Sequence, residues 1–288
     1  MGTGASWDVL SEVQQLLAFP FMRNALAAGT IVALVGGAVG YFIVLRGQSF
    51  AAHTLSQVGF PGAAAGVLVH TSPLLGLLVF CCGSALGIGL MGRGLDAGRR
   101  SESAVVATIL AFALGLGLLF FRLYAGSSQD VYAFLFGTIL GISDQDVALT
   151  AAVAGATLLA LALVGRPLLF ASVDPDVAQS RGVPVRALSV FFLVLVALAV
   201  AQAVQIVGTL LIFALLVAPA ATAQQLSARP WRTLGLSVAL SLLFTWAGLV
   251  TAYFTIYPVG FFVTTFAFGA YLAVRLARAS RRARRAVA

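Results

Sequence analysis

The sequence predicts an all-α fold, a polytopic transmembrane helical bundle of about nine spans plus a short re-entrant or half-helix segment. Three observations lead there. Of 288 residues, 61% are hydrophobic and only 9% charged, and the mean hydropathy is +1.04. Soluble domains carry about 25% charged residues, so this chain cannot cover a water-facing surface, and lipid must be the solvent for most of it. Stretches of about 20 apolar residues recur along the chain, each long enough to cross a bilayer core as a helix. The arginines fall unevenly between the connecting loops, as they do in membrane proteins of fixed orientation. A soluble enzyme, a disordered chain and a coiled coil are thereby excluded.

The first 18 residues read as a short amphipathic segment lying on the membrane surface. Asp8 and Glu12 precede the first basic residue, Arg23, so no cleaved secretory signal is expected. The transmembrane domain covers residues 19–276. Its spans are 20–45, 50–70, 73–91, 102–121, 145–165, 187–206, 208–226, 233–255 and 258–276. The second span carries His53, Gln57 and Pro61 and is the least hydrocarbon-like; Pro61-Gly62 should kink or break it. Residues 131–141 (VYAFLFGTILG) are apolar but too short to span, which is the pattern of a half-helix or re-entrant segment shielded by protein. Residues 277–288 form a basic tail suited to anionic lipid. No aromatic or basic groove accompanies the tail, so nucleic-acid binding is not expected.

Placing the arginine-rich tail in the cytoplasm and threading back puts every arginine except Arg23 and Arg122 on the inner side. The predicted topology is N-terminus outside, C-terminus cytoplasmic, and the lysine-free, Ala/Arg-rich composition is associated with GC-rich bacteria, so a bacterial plasma (inner) membrane is expected. The longest cytoplasmic loop is then 166–187. Within it Asp174 suits an N-cap, Pro175 the first helical position and Gly182 a C-terminal stop, describing a helix of about two turns on the inner face. A bare connector in a bundle has about 2–8 residues; this longer, structured one should dock a partner.

All 17 basic residues are arginine. Without lysine there is no phosphate-binding P-loop and no Schiff base, so any ATP that drives this protein is hydrolysed by another subunit. Cys81 and Cys82 are adjacent in an apolar run and read as small buried hydrophobes.

Ionisable groups at membrane depth are functional candidates. His53 and Gln57 stand four apart, on one helix face, with the hydroxyls of Thr54 and Ser56 nearby. Imidazole is a common metal ligand, which makes His53 the candidate metal contact; interhelical hydrogen bonding is the other reading of the pair. His70 is expected at the interface, and Gln202, Gln205, Gln224 and Gln225 as helix-end polar groups. Asp130, Asp144 and Asp146 form an acidic outer cluster that either attracts a cation or a docking surface or is simply solvated. The pairs Gly36 and Gly40, Gly62 and Gly66, and Gly83 and Gly87 allow close helix approach.

Four stretches, 21–69, 101–120, 132–147 and 174–226, together resemble the integral membrane permease of ABC importers for zinc, manganese and iron. The resemblance implies a subunit without ATPase activity. It would pass a divalent metal ion from an extracytoplasmic binding protein to the cytoplasm through the interface of two copies, powered by cytoplasmic ATP-binding subunits. It also implies that the 166–187 loop is a coupling helix, since Asp176-Val177-Ala178 and Gly182 look like the acidic-Ala-Ala-x-x-x-Gly spacing of such permeases. Asp174, Asp176, Ala178, Arg181 and Gly182 are then the residues that engage the ATPase.

The family motif Leu-Arg-x-x-Ser-x-x-Gly-Asp-Ala-x-Ser-His followed by Pro-Gly is matched at Leu45, Arg46, Ser49, Ser56, Pro61 and Gly62. The Asp and His of its metal-contacting pair are replaced by His53 and Gln57. A carboxylate suits hard cations such as manganese. A His/Gln pair favours zinc, or a weaker site that releases easily, with manganese and iron as further cargoes. A chelated metal or other solute is the alternative within the same architecture. A secondary transporter is disfavoured because no internal repeat or deeply placed acid is evident.

Overall fold

The computed structural model describes residues 19–91, 99–123, 142–255 and 257–287. Among the described residues there are ten helices: α1 (Pro20–Leu45), α2 (Ser49–Leu68), α3 (Pro73–Met91), α4 (Arg99–Leu123), α5 (Asp144–Val173), α6 (Pro175–Ser180), α7 (Val185–Val207), α8 (Thr209–Leu226), α9 (Pro230–Tyr253) and α10 (Val259–Val287). The nine long helices coincide with the nine predicted spans. The expected segments at 1–18 and 131–141, and Asp130, lie outside the described residues.

Seven of the long helices are apolar and long enough to cross a membrane: α1, α3, α4, α5, α7, α9 and α10. The exceptions are α2, which is too polar, and α8, whose apolar stretch Leu211–Leu226 is short. Other helices wall both of them. α2 packs on α3, α4, α7 and α8, while α8 packs on α1, α9 and α10. A helix surrounded by protein does not have to be hydrocarbon-like. The spanning stretches of α1 and α7 are 72% buried, against 17% for α4 and 11% for α10, which separates an inner group from an outer ring.

Close backbone approach holds the inner group together. A Cβ at Gly40 would run into the Leu216 carbonyl, so α1 meets α8 with no side chain between them. Gly62 and Gly76 make the same kind of contact between α2 and α3. On another face of α1, the Ser237 hydroxyl of α9 donates to the Gly37 carbonyl at 2.7 Å. The third predicted pair differs: a Cβ at Gly83 would meet nothing within 4 Å, and one at Gly87 only the Ile109 side chain. Spacing alone cannot distinguish a packed glycine stripe from one on an open face.

Two expectations change: of the kink or break at Pro61-Gly62 only the break is overturned, and the inner loop shortens. α2 does not break at Pro61-Gly62 but runs on to Leu68. Pro61 costs one ladder bond, the N–H that would reach the Gln57 carbonyl, and packing keeps the helix going: Gly62 and Gly66 press on the α3 backbone, and Phe60 sits against Gly117 of α4. Likewise α5 continues through Pro167 to Val173, because Leu168 and Ala171 remain in the core. The inner loop is therefore shorter than 166–187.

Gly40→Ala should lower the thermal midpoint of the purified protein, with overpacking costing about 1–3 kcal/mol. Gly83→Ala, on an open helix face, should leave it unchanged or raise it.

Candidate functional site

The bundle has two ends. One gathers Arg46, Met91, the α5–α6–α7 connection and Leu226; the other gathers Pro20, Val69–Pro73, Ser143, the α7–α8 junction and Tyr253–Val259. α2 starts at the first end and carries the polar residues singled out by sequence.

On α2 the residues Ala51, Ala52, Leu55 and Val58 are buried against neighbouring helices. Phe50, His53, Gln57, Phe60 and Ala64 are not fully buried. These five follow the three- and four-residue spacing of one helical stripe. The stripe lies between α8 and α4: the His53 ring meets Phe213 of α8 edge-on, with centroids 4.8 Å apart, and Phe60 rests over Gly117 of α4. His53 and Gln57 thus share a half-open face along α2. Thr54 and Ser56 are fully buried instead. The Ser56 hydroxyl donates to the His53 carbonyl at 2.7 Å, which fixes its proton within the helix.

His53 Nδ1 is shut off from solvent and has no hydrogen-bond partner among the described residues. An unpartnered buried ring nitrogen costs about 1–3 kcal/mol. Imidazole nitrogen is a common ligand for transition-metal ions. The Gln57 side-chain amide and the Gln57 carbonyl, which receives no N–H from Pro61, add oxygen donors one turn away. No group of three or more His, Cys, Asp or Glu residues able to hold a metal occurs among the described residues.

The other polar expectations resolve differently. Asp146 closes a capping box with Ser143 at the start of α5, and Asp144 accepts from Asn24 Nδ2 at 2.9 Å. Both acids hold local structure. His70 is exposed and takes the left-handed conformation (φ 55°) at the end of α2, where Thr71 N–H closes on the Gly66 carbonyl. Gln202 stands in the last turns of α7, as expected of a helix-end polar group, but it is enclosed there: it is 2% exposed, and neither amide atom has a partner among the described residues. Its depth follows from neighbours that only the fold supplies. Gln224 reaches the Tyr41 carbonyl at 3.5 Å.

At the first end, α6 is built from local signals. The Asp174 carboxylate accepts from Val177 N–H at 3.0 Å, and Pro175 takes the first helical position. Gly182 has φ +83°, with its N–H on Gln179 O and Val183 N–H on Ala178 O, both 3.0 Å. That is a Schellman closure, which needs a left-handed residue after the helix. Ala178 is fully buried and anchors the short helix, while Asp176, Val177, Gln179, Ser180, Arg181 and Gly182 are exposed. The result is a rigid knob on the surface.

The ABC 3 transport family model matches residues 18–278. The chain is 36% identical over 241 residues to the manganese import system permease protein ScaB of Streptococcus parasanguinis, covering 84% of this chain and 85% of that one. It is 31% identical to the manganese transport system membrane protein MntC of Halalkalibacterium halodurans, over 75% of this chain and 73% of that one. Its fold is similar to a chain in the solved structure of PsaBC from Streptococcus pneumoniae, with a TM-score of 0.82, 30% identity, and coverage of 92% of this chain and 95% of that one.

Removing the cap with Asp174→Ala should cost about 1 kcal/mol of local stability. Amide hydrogen exchange at residues 176–181 should quicken about fivefold while the core of α7 is unaffected.

Proposed function

Because the chain belongs to the ABC 3 transport family, and is the permease subunit of a metal importer rather than its ATPase, we propose that two copies carry a divalent transition-metal ion across the bacterial plasma membrane between their α2 stripes. The observation that carries this reading is the half-open face that His53 and Gln57 share along α2. Facing copies would supply two imidazoles and two amide oxygens, enough for a four-coordinate ion, whereas one copy supplies half of that.

An extracytoplasmic binding protein would load the ion at the end of the bundle that holds Pro20 and the α7–α8 junction. The knob at Asp174–Gly182 would sit in a cytoplasmic ATPase subunit, with Asp176 and Arg181 offering charge and Ala178 holding the helix to its stems. The arginine-rich tail supports the cytoplasmic placement of that end. The motor is a separate chain, in keeping with the absence of lysine.

Zinc is the cargo best suited to an imidazole-led donor set. Manganese is the second reading, favoured by the names of the relatives and by the oxygen donors of Gln57. Uptake of radioactive zinc and manganese by the complete importer in proteoliposomes separates the two, each ion competing against the other. Zinc should dominate; a manganese preference would select the second reading.

His53→Ala should reduce uptake at least about tenfold while assembly persists, a loss no smaller than that from removing a metal ligand's outer-shell support. Unchanged uptake would remove His53 from the path. His53→Asp, which places a hard oxygen donor there, should move the preference toward manganese.

Gly182→Pro cannot adopt φ +83°, and Asp176→Arg reverses a charge on the exposed knob. Both should leave ATP hydrolysis running with fewer ions moved per ATP. Normal stoichiometry in both would sink the assignment of α6 to the ATPase.

A further inference from the structure

Arg46 ends α1 and belongs to neither the metal stripe nor the exposed knob, yet it touches the supports of both. Its Nη1 donates to Ser172 Oγ at 3.1 Å and its Nη2 to Ser189 Oγ at 2.6 Å. Ser172 lies in the last turn of α5 and Ser189 in the first turns of α7, so one guanidinium spans the two stems of α6. Each serine hydroxyl gives its own proton to its helix, Ser172 to the Leu168 carbonyl and Ser189 to Val185 at 2.8 Å. That leaves their lone pairs oriented to accept from arginine. The guanidinium carbon lies 5.6 Å from the centre of the buried Phe192 ring, a cation–π contact with the same helix α7.

The other side of Arg46 is the turn into α2. Arg46 Nε donates to Gln48 Oε1 at 3.3 Å, and Gln48 is the N-cap of α2. Gly47 (φ +68°) donates to the Val44 carbonyl and Gln48 N–H to Ile43 O, a second Schellman closure. The turn is therefore stiff, and His53 follows it by about one helical turn. Beside Arg46 a cavity of about 440 Å³ lies between Gln48 and Phe50 on the α2 side and Ser172, Val173 and Pro175 on the α6 side; farther along, α2 packs directly on the stem α7, where Val204 meets Gly59.

We propose that Arg46 is a positioning residue that transmits movement of the coupling helix α6 to α2, and so to the His53/Gln57 face. This rests on the reading of α6 as the element that docks the ATPase. A fork with several fixed donors can hold both stems at once and carry a displacement of either.

The test uses the complete importer in proteoliposomes, with this chain assembled on its ATPase subunits, and reads ions moved per ATP hydrolysed with zinc and manganese as probes. The variants are Arg46→Gln, Arg46→Lys and the pair Ser172→Ala/Ser189→Ala, with Gly182→Pro as reference. Arg46→Gln and the serine pair should assemble and hydrolyse ATP, with the ion-to-ATP ratio lowered at least about fivefold, the smallest effect of an ordinary coupling energy. Arg46→Lys should stay low, because an ammonium keeps the charge and loses the fork.

Full rescue by lysine would overturn the proposal, reducing Arg46 to a surface charge. A wild-type ratio in the serine pair would overturn it as well, and that variant decides the matter alone if Arg46→Gln fails to assemble. Gly182→Pro uncoupled beside normally coupled Arg46 and serine variants removes the tie and leaves the docking helix intact. Gly182→Pro normally coupled removes the docking reading itself.

Discussion

A helix that carries an imidazole and a glutamine amide at membrane depth is stable only when protein, rather than hydrocarbon, surrounds most of it. The rest of the bundle meets that requirement for α2. α3 approaches it backbone to backbone at Gly62 and Gly76, Phe60 seats it on α4, and Val204 of α7 packs against Gly59. With three sides filled, the His53/Gln57 stripe is the side left partly open. The same enclosure carries α2 through Pro61: neighbours on both sides hold the backbone where one ladder bond is missing.

Hydropathy exposed most of this architecture because lipid imposes one strong rule on every spanning helix, and seven of the nine long helices meet it. The rule weakens where protein replaces lipid. α2 and α8, the interior pair, are the two helices that fail a simple span criterion. α6 was legible for the opposite reason. Its Asp174 cap, its Pro175 start and its Gly182 stop are local chemistry, complete within nine residues of sequence.

The candidate site was only partly legible. The four-residue spacing of His53 and Gln57 placed them on one face, as any helix would. That Thr54 and Ser56 turn away from that face depends on which side of α2 is packed, and sequence does not carry that information. Gln202 read as a helix-end polar group, and its enclosure depends on neighbours that sequence does not name. The contacts of Arg46 join residues 126 and 143 positions apart, beyond the reach of any local pattern. In a helical bundle, caps and periodicities are written locally, while polar ties between helix ends exist only once the helices have assembled.

On the proposed reading, exchanging a carboxylate for His53 changes more than ion preference. An empty carboxylate in a protein-walled site needs a counter-charge or must take up a proton, because desolvation of a lone anion is costly. A neutral imidazole and a neutral amide can stand empty between deliveries at the smaller cost of one unpartnered nitrogen. Once an ion enters, those neutral donors leave its full charge uncompensated in surroundings of low dielectric. That works against long residence and in favour of onward release. Weak holding suits a conduit that receives its ion from a separate receptor and gives it up to the cytoplasm, with affinity and selectivity exercised before the ion reaches the membrane. Rigid turns at Gly47 and Gly182 then matter more than tight ligation, since the energy that moves the ion must come from displacement of α2 and not from the strength of the site.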